Sequence, residues 1–291
     1  MNTTGKTPSR RALLAWGAGA AVAASLPASG SAFAANASPA GSGAVAHAPA
    51  DVAHAMAELE REHSARLGVY AHDTATGRTV RYRAQERFPV CSVFKTLAVA
   101  AVLRDLDRDG EFLARRVRYT AQEAGASGYA PVTGLPENLA HGMTIAELSD
   151  ATIRFSDNAA NLLLRELGGP TAVTRFARST GDPVTRLDRW EPELNSAEPR
   201  RVTDTTTPHA IGRTYERLVL GSALEPAGWT VADKTGGGAY GTNNDVGLAW
   251  PPGRPPLVIA VLTTKPRPDA PADNPLIART AALLATALAG G

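Results

Sequence analysis

The stretch Pro89-Val90-Cys91-Ser92-Val93-Phe94-Lys95-Thr96-Leu97-Ala98-Val99-Ala100-Ala101-Val102-Leu103 decides how this chain of 291 residues folds. Pro89 ends an extended segment, because the residue before a proline is driven out of the helical region. A helix then starts near Ser92, with Phe94, Leu97, Ala98, Ala101 and Val102 recurring at i, i+3, i+4 spacing. Val99, Ala100 and Leu103 fill most of the remaining positions, so the helix is apolar nearly all round and belongs in the interior. Lys95 inside it requires polar partners, since an unpaired buried ammonium is costly. Ser92 and Lys95 are three residues apart and share one face. A serine at a helix N-terminus also gains from the dipole when negative charge develops beside it. Taken alone, the pair reads equally as a helix N-cap and a surface lysine.

A helix of this kind needs flanking layers to bury it, and both ends of the chain supply them. Residues 52–66 read as a helix with Val52, Met56 and Leu59 at helical spacing. Residues 67–71 and 79–82 read as strands around a turn at Thr76-Gly77. Beyond Phe88-Pro89 the chain is helical with long loops to about Gly228. Strand character returns at Thr230-Val231, 246–250 and 257–262. A last helix has Asn274 as cap and Pro275 in its first turn, and runs over 276–288. The expected fold is of the α/β class (an α+β sandwich), with an antiparallel sheet from both chain ends, flanked by helices, and an all-helical domain inserted between them. Residues 51–86 and 229–291 form the α/β domain, and 87–228 the helical one. A cleft between two such lobes is a favoured place for a small ligand.

The first 34 residues are read as an export signal. Lys6, Arg10 and Arg11 precede an apolar run from Ala12 to about Leu26, followed by Ala32-Phe33-Ala34. Ser9-Arg10-Arg11 has the look of a twin-arginine signal. Residues 35–50 form a flexible Ala/Gly/Ser/Pro leader. Removing the three cations takes the formal net charge from +2 to −1, which leaves no basic stripe for nucleic acid or a lipid surface. The processed chain is expected to be secreted, free of the membrane and monomeric. Cys91 is the only cysteine, so no intramolecular disulfide can form. The six histidines are scattered without ligand spacing, so neither a metal nor another cofactor is called for.

Three further motifs carry chemistry. Ser156-Asp157-Asn158 lies between the apolar stretches 153–155 and 159–164, as a polar loop pinned inside the structure or as a helix N-cap. Asp188-Arg189-Trp190-Glu191-Pro192-Glu193-Leu194-Asn195 is either a solvated acidic loop or a segment in which Glu191, fixed near Lys95, is the candidate base for a water. Arg189 or another cation ties the segment down, and Glu193 is a solvated acid. Lys234-Thr235-Gly236 runs along a strand into a glycine-rich turn and offers an anion anchor. A phosphate-loop reading fails there, because Asp233 stands where that motif has glycine. Tyr129 is either a residue of the cleft mouth or a core aromatic. Together the motifs supply a nucleophile, a proton relay, a water base and an anchor, which is an acyl-transfer apparatus.

This set, in this order, resembles the class A serine β-lactamases. The resemblance covers nearly all of the chain beyond the signal. It implies a β-lactamase/DD-peptidase-like fold and hydrolysis of the β-lactam amide of penicillins and cephalosporins through a serine acyl-enzyme, conferring antibiotic resistance. It further implies Ser92, Lys95, Ser156 and Glu191 as catalytic residues. Asn158, Asn195, Lys234, Thr235, Gly236, Gly237 and Tyr129 would bind substrate, with the Ser92 and Gly237 amides as oxyanion hole. Two other readings share part of the machinery. One is a D-Ala-D-Ala peptidase, which stays acylated by penicillin, and the other a non-catalytic β-lactam-binding relative.

Three departures from the family pattern stand out. The interval from Glu191 to Lys234 is roughly two dozen residues short around those motifs, as though a helix were missing near 221–228. An arginine that helps hold the substrate carboxylate has no evident counterpart, and Asn243 stands at one of its usual places. Asn161 follows Ser156-Asp157-Asn158 one residue early, which is expected to rotate it away from the loop that carries Glu191.

Overall fold

Strands from opposite ends of the chain interleave in one sheet. The computed structural model describes residues 49–219 and 230–289. The strands are β1 (Arg66–Asp73), β2 (Thr79–Tyr82), β3 (Thr230–Gly238), β4 (Thr242–Trp250) and β5 (Leu257–Thr264). Their order is β2-β1-β5-β4-β3, with every neighbouring pair antiparallel. The longer helices are α1 (Pro49–Glu62), α2 (Phe94–Ala101), α3 (Ile145–Arg154), α4 (Ala160–Glu166), α5 (Thr171–Ser179), α6 (Pro208–Val219) and α7 (Asn274–Ala289).

Both faces of the sheet are covered, and the period-2 side-chain alternation of a strand sorts residues between them. On β5, Ile259 and Val261 meet Met56 and Leu59 of α1 and Leu276 and Leu284 of α7. Val258, Ala260 and Leu262 face the other way, into a core with Phe94 and Leu97 of α2 and Ile211 and Tyr215 of α6. The helical region has its own core, in which Val99 and Val102 pack with Leu148, Leu162 and Leu163. Helix α2 therefore belongs to two cores at once, which is why its sequence is apolar on nearly every side.

Element boundaries moved where the local chemistry argues for it. Helix α1 begins at Pro49 rather than Val52, because proline is accommodated in a first helical turn and Asp51 favours its positive end. Strands β3 and β4 extend to a tight hairpin, where Tyr240 (φ 57°) and Gly241 (φ 52°) take the left-handed conformation such a reversal needs. The cap of α7 is corrected from Asn274 to Asp273, whose Oδ1 accepts the Leu276 amide at 3.1 Å. Asn274 instead accepts a hydrogen bond from Asn243 Nδ2 at 3.0 Å. The missing helix expected at 221–228 lies outside the described residues. Among the described residues, no helix is long and apolar enough to cross a membrane.

Candidate active site

The site is built around a strained turn. Cys91–Val93 form a single 3₁₀ turn that feeds α2, and Cys91 adopts φ 42°, an unfavourable value for a non-glycine residue. The Val90 amide donates to the Asp204 carbonyl at 2.8 Å, and the Val93 amide to the Val90 carbonyl at 3.2 Å. Neither the turn nor α2 has a side-chain cap, so Ser92 does not serve as an N-cap. It is 9% exposed, at the edge of the interior. The Cys91 thiol is fully buried, and burial pushes its pKa far up, as expected of a packed thiol. Strand β3 runs beside the turn. A Cβ added to Gly236 would stand 3.2 Å from the Ser92 amide nitrogen, a tight contact that would press the two backbones apart by a few tenths of an ångström.

Lys95 is wholly buried, and its partners are those the helix pattern required. Nζ donates to the Ser156 carbonyl at 2.7 Å and to Asn158 Oδ1 at 2.7 Å, with the Ser156 hydroxyl at 3.5 Å. Glu191 Oε1 lies 3.2 Å from Nζ, and both side chains are out of solvent. Burial lowers the lysine pKa, and the Glu191 carboxylate opposes that shift. One ammonium thus gathers α2, the Ser156 loop and the Glu191 loop.

Asp157 pins the Ser156 loop. Its carboxylate accepts the Val132 and Thr133 amides at 2.8 and 2.9 Å, the Thr133 hydroxyl at 2.8 Å and the Ala159 amide at 2.6 Å. Ser156 has φ 53°, a second strained residue at the centre of the site. Asn158 Nδ2 donates to the Ser127 carbonyl at 2.5 Å, leaving one amide hydrogen for another acceptor. Tyr129 is 55% exposed, which rules out the core-aromatic reading.

In the loop carrying Glu191, Arg189 Nε donates to Asp204 Oδ2 at 2.6 Å and Nη1 to the Ser196 hydroxyl at 2.9 Å. Glu191 is buried, Glu193 is exposed, and Asn195 Nδ2 donates to Glu191 Oε2 in a short hydrogen bond. The Asn195 Oδ1 atom is buried without a hydrogen-bond partner among the described residues. The expected displacement of Asn161 is corrected. Its Oδ1 accepts the Glu191 amide at 3.1 Å and its Nδ2 donates to the Glu191 carbonyl at 2.9 Å. Its place in the first turns of α4 directs the amide under the loop despite the shortened spacing.

Lys234 is 4% exposed and donates to the Thr235 carbonyl at 3.0 Å. Burial first, and then the charge of Lys95, bring its pKa down to about 7, against the pull of Asp233, Asp245 and Glu191. The side chain of Asn243, across from Gly237 on β4, turns to Asn274. Segment 220–229 contains no arginine or lysine.

Two structurally important residues escape a sequence reading. Asp204 fixes Arg189, and its only signal is an acid ahead of a threonine run; Asn244 looks like any strand residue. A cavity of about 560 Å³ lies behind the Glu191 loop, lined in part by Arg66, Arg87, Glu198 and Lys265, and holds none of the site residues. No cluster of metal-binding residues occurs among the described residues.

Comparison with known proteins gives one answer. The profile of the β-lactamase enzyme family matches residues 51–228 and 222–288. The chain is 64% identical to a β-lactamase of Streptomyces lavendulae over 99% of its length and 100% of that protein, and 62% identical to one of Streptomyces fradiae over 99% of each. The Streptomyces lavendulae alignment spans 315 positions against 291 residues here, and the profile match breaks at 222–228, where the shortening was expected. Among solved structures, the β-lactamase of Streptomyces albus G superposes with a TM-score of 0.78 at 59% identity, covering 83% of this chain and 100% of that one. An ancestral class A β-lactamase follows at 0.74 and 46%, covering 81% and 99%. On the site geometry and these likenesses together, the chain belongs to the class A serine β-lactamases.

Proposed function

We propose that this β-lactamase opens penicillins and cephalosporins through an acyl-enzyme on Ser92, and that the Lys95 junction carries the reaction. Ser92 Oγ attacks the lactam carbonyl carbon while its proton leaves through Lys95 and Glu191. The Ser92 and Gly237 amides receive the developing oxyanion. Ser156 passes a proton to the ring nitrogen as the C–N bond breaks. Glu191 then takes a proton from a water shared with Asn195, hydroxide adds to the ester carbon, and Ser92 is released with its proton returned. Lys234 and Thr235 hold the substrate carboxylate, Gly236 and Gly237 let substrate lie along β3, Asn158 meets its acylamido side chain, and Tyr129 lines the mouth. The site calls for no metal or other cofactor.

The observation that supports this most directly is the burial of Lys95 between the Ser156 carbonyl, Asn158 and Glu191. The processed enzyme is proposed to be a secreted monomer, with residues 1–34 removed as an export signal, 35–50 a leader, and the lobes at 51–86 with 229–291 and at 87–228. The test is turnover of a chromogenic cephalosporin together with intact mass after penicillin exposure. Rapid turnover without a lasting adduct supports the reading; a persistent adduct on Ser92 points to the peptidase, and neither result to the non-catalytic relative.

Two predictions concern the anchor. The free enzyme needs Lys234 as a cation, and the ammonium loses its proton as pH rises through about 7. Thus kcat/KM is expected to fall by up to tenfold per pH unit on the alkaline side. A bound carboxylate keeps the lysine charged, so kcat holds to higher pH. Lys234→Arg moves the kcat/KM limb out of the measured range; an unmoved limb assigns it elsewhere. Asn243→Arg places a guanidinium across from Gly237, at a buried position whose native side chain bonds Asn274, and is expected to lower KM for penicillin by about fivefold, the equivalent of about 1 kcal/mol for one added charge pair. An unchanged KM counts against the idea that the missing arginine weakens binding.

A further inference from the structure

We propose that Asn244 is a positioning residue for the nucleophile turn: its buried amide fastens the segment ahead of Ser92 to the strand system that carries the anchor. The inference rests on the reading of Ser92 and Gly237 as the oxyanion hole. Asn244 is fully buried in β4 and stands directly across from Gly236. Its Nδ2 donates to the Pro89 carbonyl at 2.9 Å and reaches the Val90 carbonyl at 3.4 Å. Its Oδ1 accepts the Thr263 amide of β5 at 3.3 Å. The amide therefore spans from the sheet to the two carbonyls that immediately precede strained Cys91.

The location explains why a polar residue occupies the interior of a sheet strand. A residue held at positive φ keeps that conformation only when its surroundings over-determine it. The Val90 amide is held from one side by the Asp204 carbonyl, and Asn244 holds the Pro89 and Val90 carbonyls from the other. Gly236 closes on the Ser92 amide from the facing strand. The distance between the amides of Ser92 and Gly237 is thus a property of two separate elements, and Asn244 is a side chain that ties one to the other. Misplacement of a catalytic group by about 1 Å can slow a reaction on the order of 100-fold. Substrate affinity set by Lys234 and Thr235 does not depend on this tie.

The test uses Asn244→Leu and Asn244→Asp, with Val258→Ala, near the other end of β5 from Thr263, as a control core truncation. For each folded variant, kcat/KM for penicillin and the Kd of an aryl boronic acid are measured well below Tm. The boronic acid adds to Ser92 and imitates the tetrahedral state. The expected result is a fall of about 10- to 100-fold in kcat/KM, with a matching loss of boronic acid affinity. The Kd for penicillin measured in a Ser92→Ala background changes less than twofold. Val258→Ala lowers Tm and leaves the boronic acid Kd in place. If either Asn244 variant folds and keeps kcat/KM and boronic acid Kd within twofold of the parent, the inference is overturned. Should Leu fail to fold, the near-isosteric Asp variant decides. The underlying reading fails separately, if Ser92→Ala still turns over substrate.

Discussion

Ser92→Ala abolishes β-lactam turnover, with a fall in kcat of about 10⁶-fold, the scale seen when the nucleophile of a comparable hydrolytic unit is removed. The variant stays folded. An N-cap serine replaced by alanine would cost about 1 kcal/mol, but Ser92 caps neither the 3₁₀ turn nor α2. The hydroxyl sits at the edge of the interior, where losing one oxygen opens no cavity. Thermal denaturation alongside a chromogenic assay checks both halves. A Tm within about 2 °C of the parent, with activity gone, is the expected pair. Retained turnover would remove Ser92 from the mechanism, and the strained turn would need another explanation.

Glu191→Gln separates the two half-reactions. Penicillin is expected to acylate Ser92, with Lys95 left to take the hydroxyl proton, and to remain there, because the amide cannot take a proton from water. The expected slowing of deacylation is about 10³-fold, within the range for loss of a general base. The glutamine keeps its place beside Lys95, whose hydrogen-bond partners at Ser156 and Asn158 are untouched, so the junction holds together. Intact mass spectrometry after brief penicillin exposure reads the result directly as one added penicillin mass. An adduct that clears at the parental rate would show that another group activates the water. Asn195, whose buried Oδ1 has no hydrogen-bond partner among the described residues, would then be the next residue to replace.

Much of this was legible in the order of residues. Short-range periodicity marked α2 as buried, and a buried lysine had to find partners. That inference rests on the solvation of an ammonium and holds whatever the partners turn out to be. The unbroken apolar run 257–262 carried strand character, and the motifs around Ser156, Glu191 and Lys234 were visible as local patterns. Where reading went astray, the error was one of direction. Asn161 was expected to turn away because its spacing is one residue tight, yet α4 carries its amide under the Glu191 loop. The sequence pattern offers Asn274 as the cap of α7, whereas Asp273 performs that role. Helix termini are set by which side chain reaches the free amides, and a single residue separates the candidates.

The elements, the interior placement of α2 and the chemical identity of the groups are local properties, since they follow from solvation and from periodicities of 2 and 3.6 residues. Only the tertiary structure decided that Lys95 meets Glu191 across 96 positions of chain, that Asp157 holds the segment at Val132 and Thr133, and that Gly236 admits the Ser92 amide. It also decided that Asn244 reaches Pro89 and Val90. Such contacts depend on how twisted strands and packed helices bring distant segments within about 3 Å, the reach of a hydrogen bond, and no local pattern encodes a distance between elements.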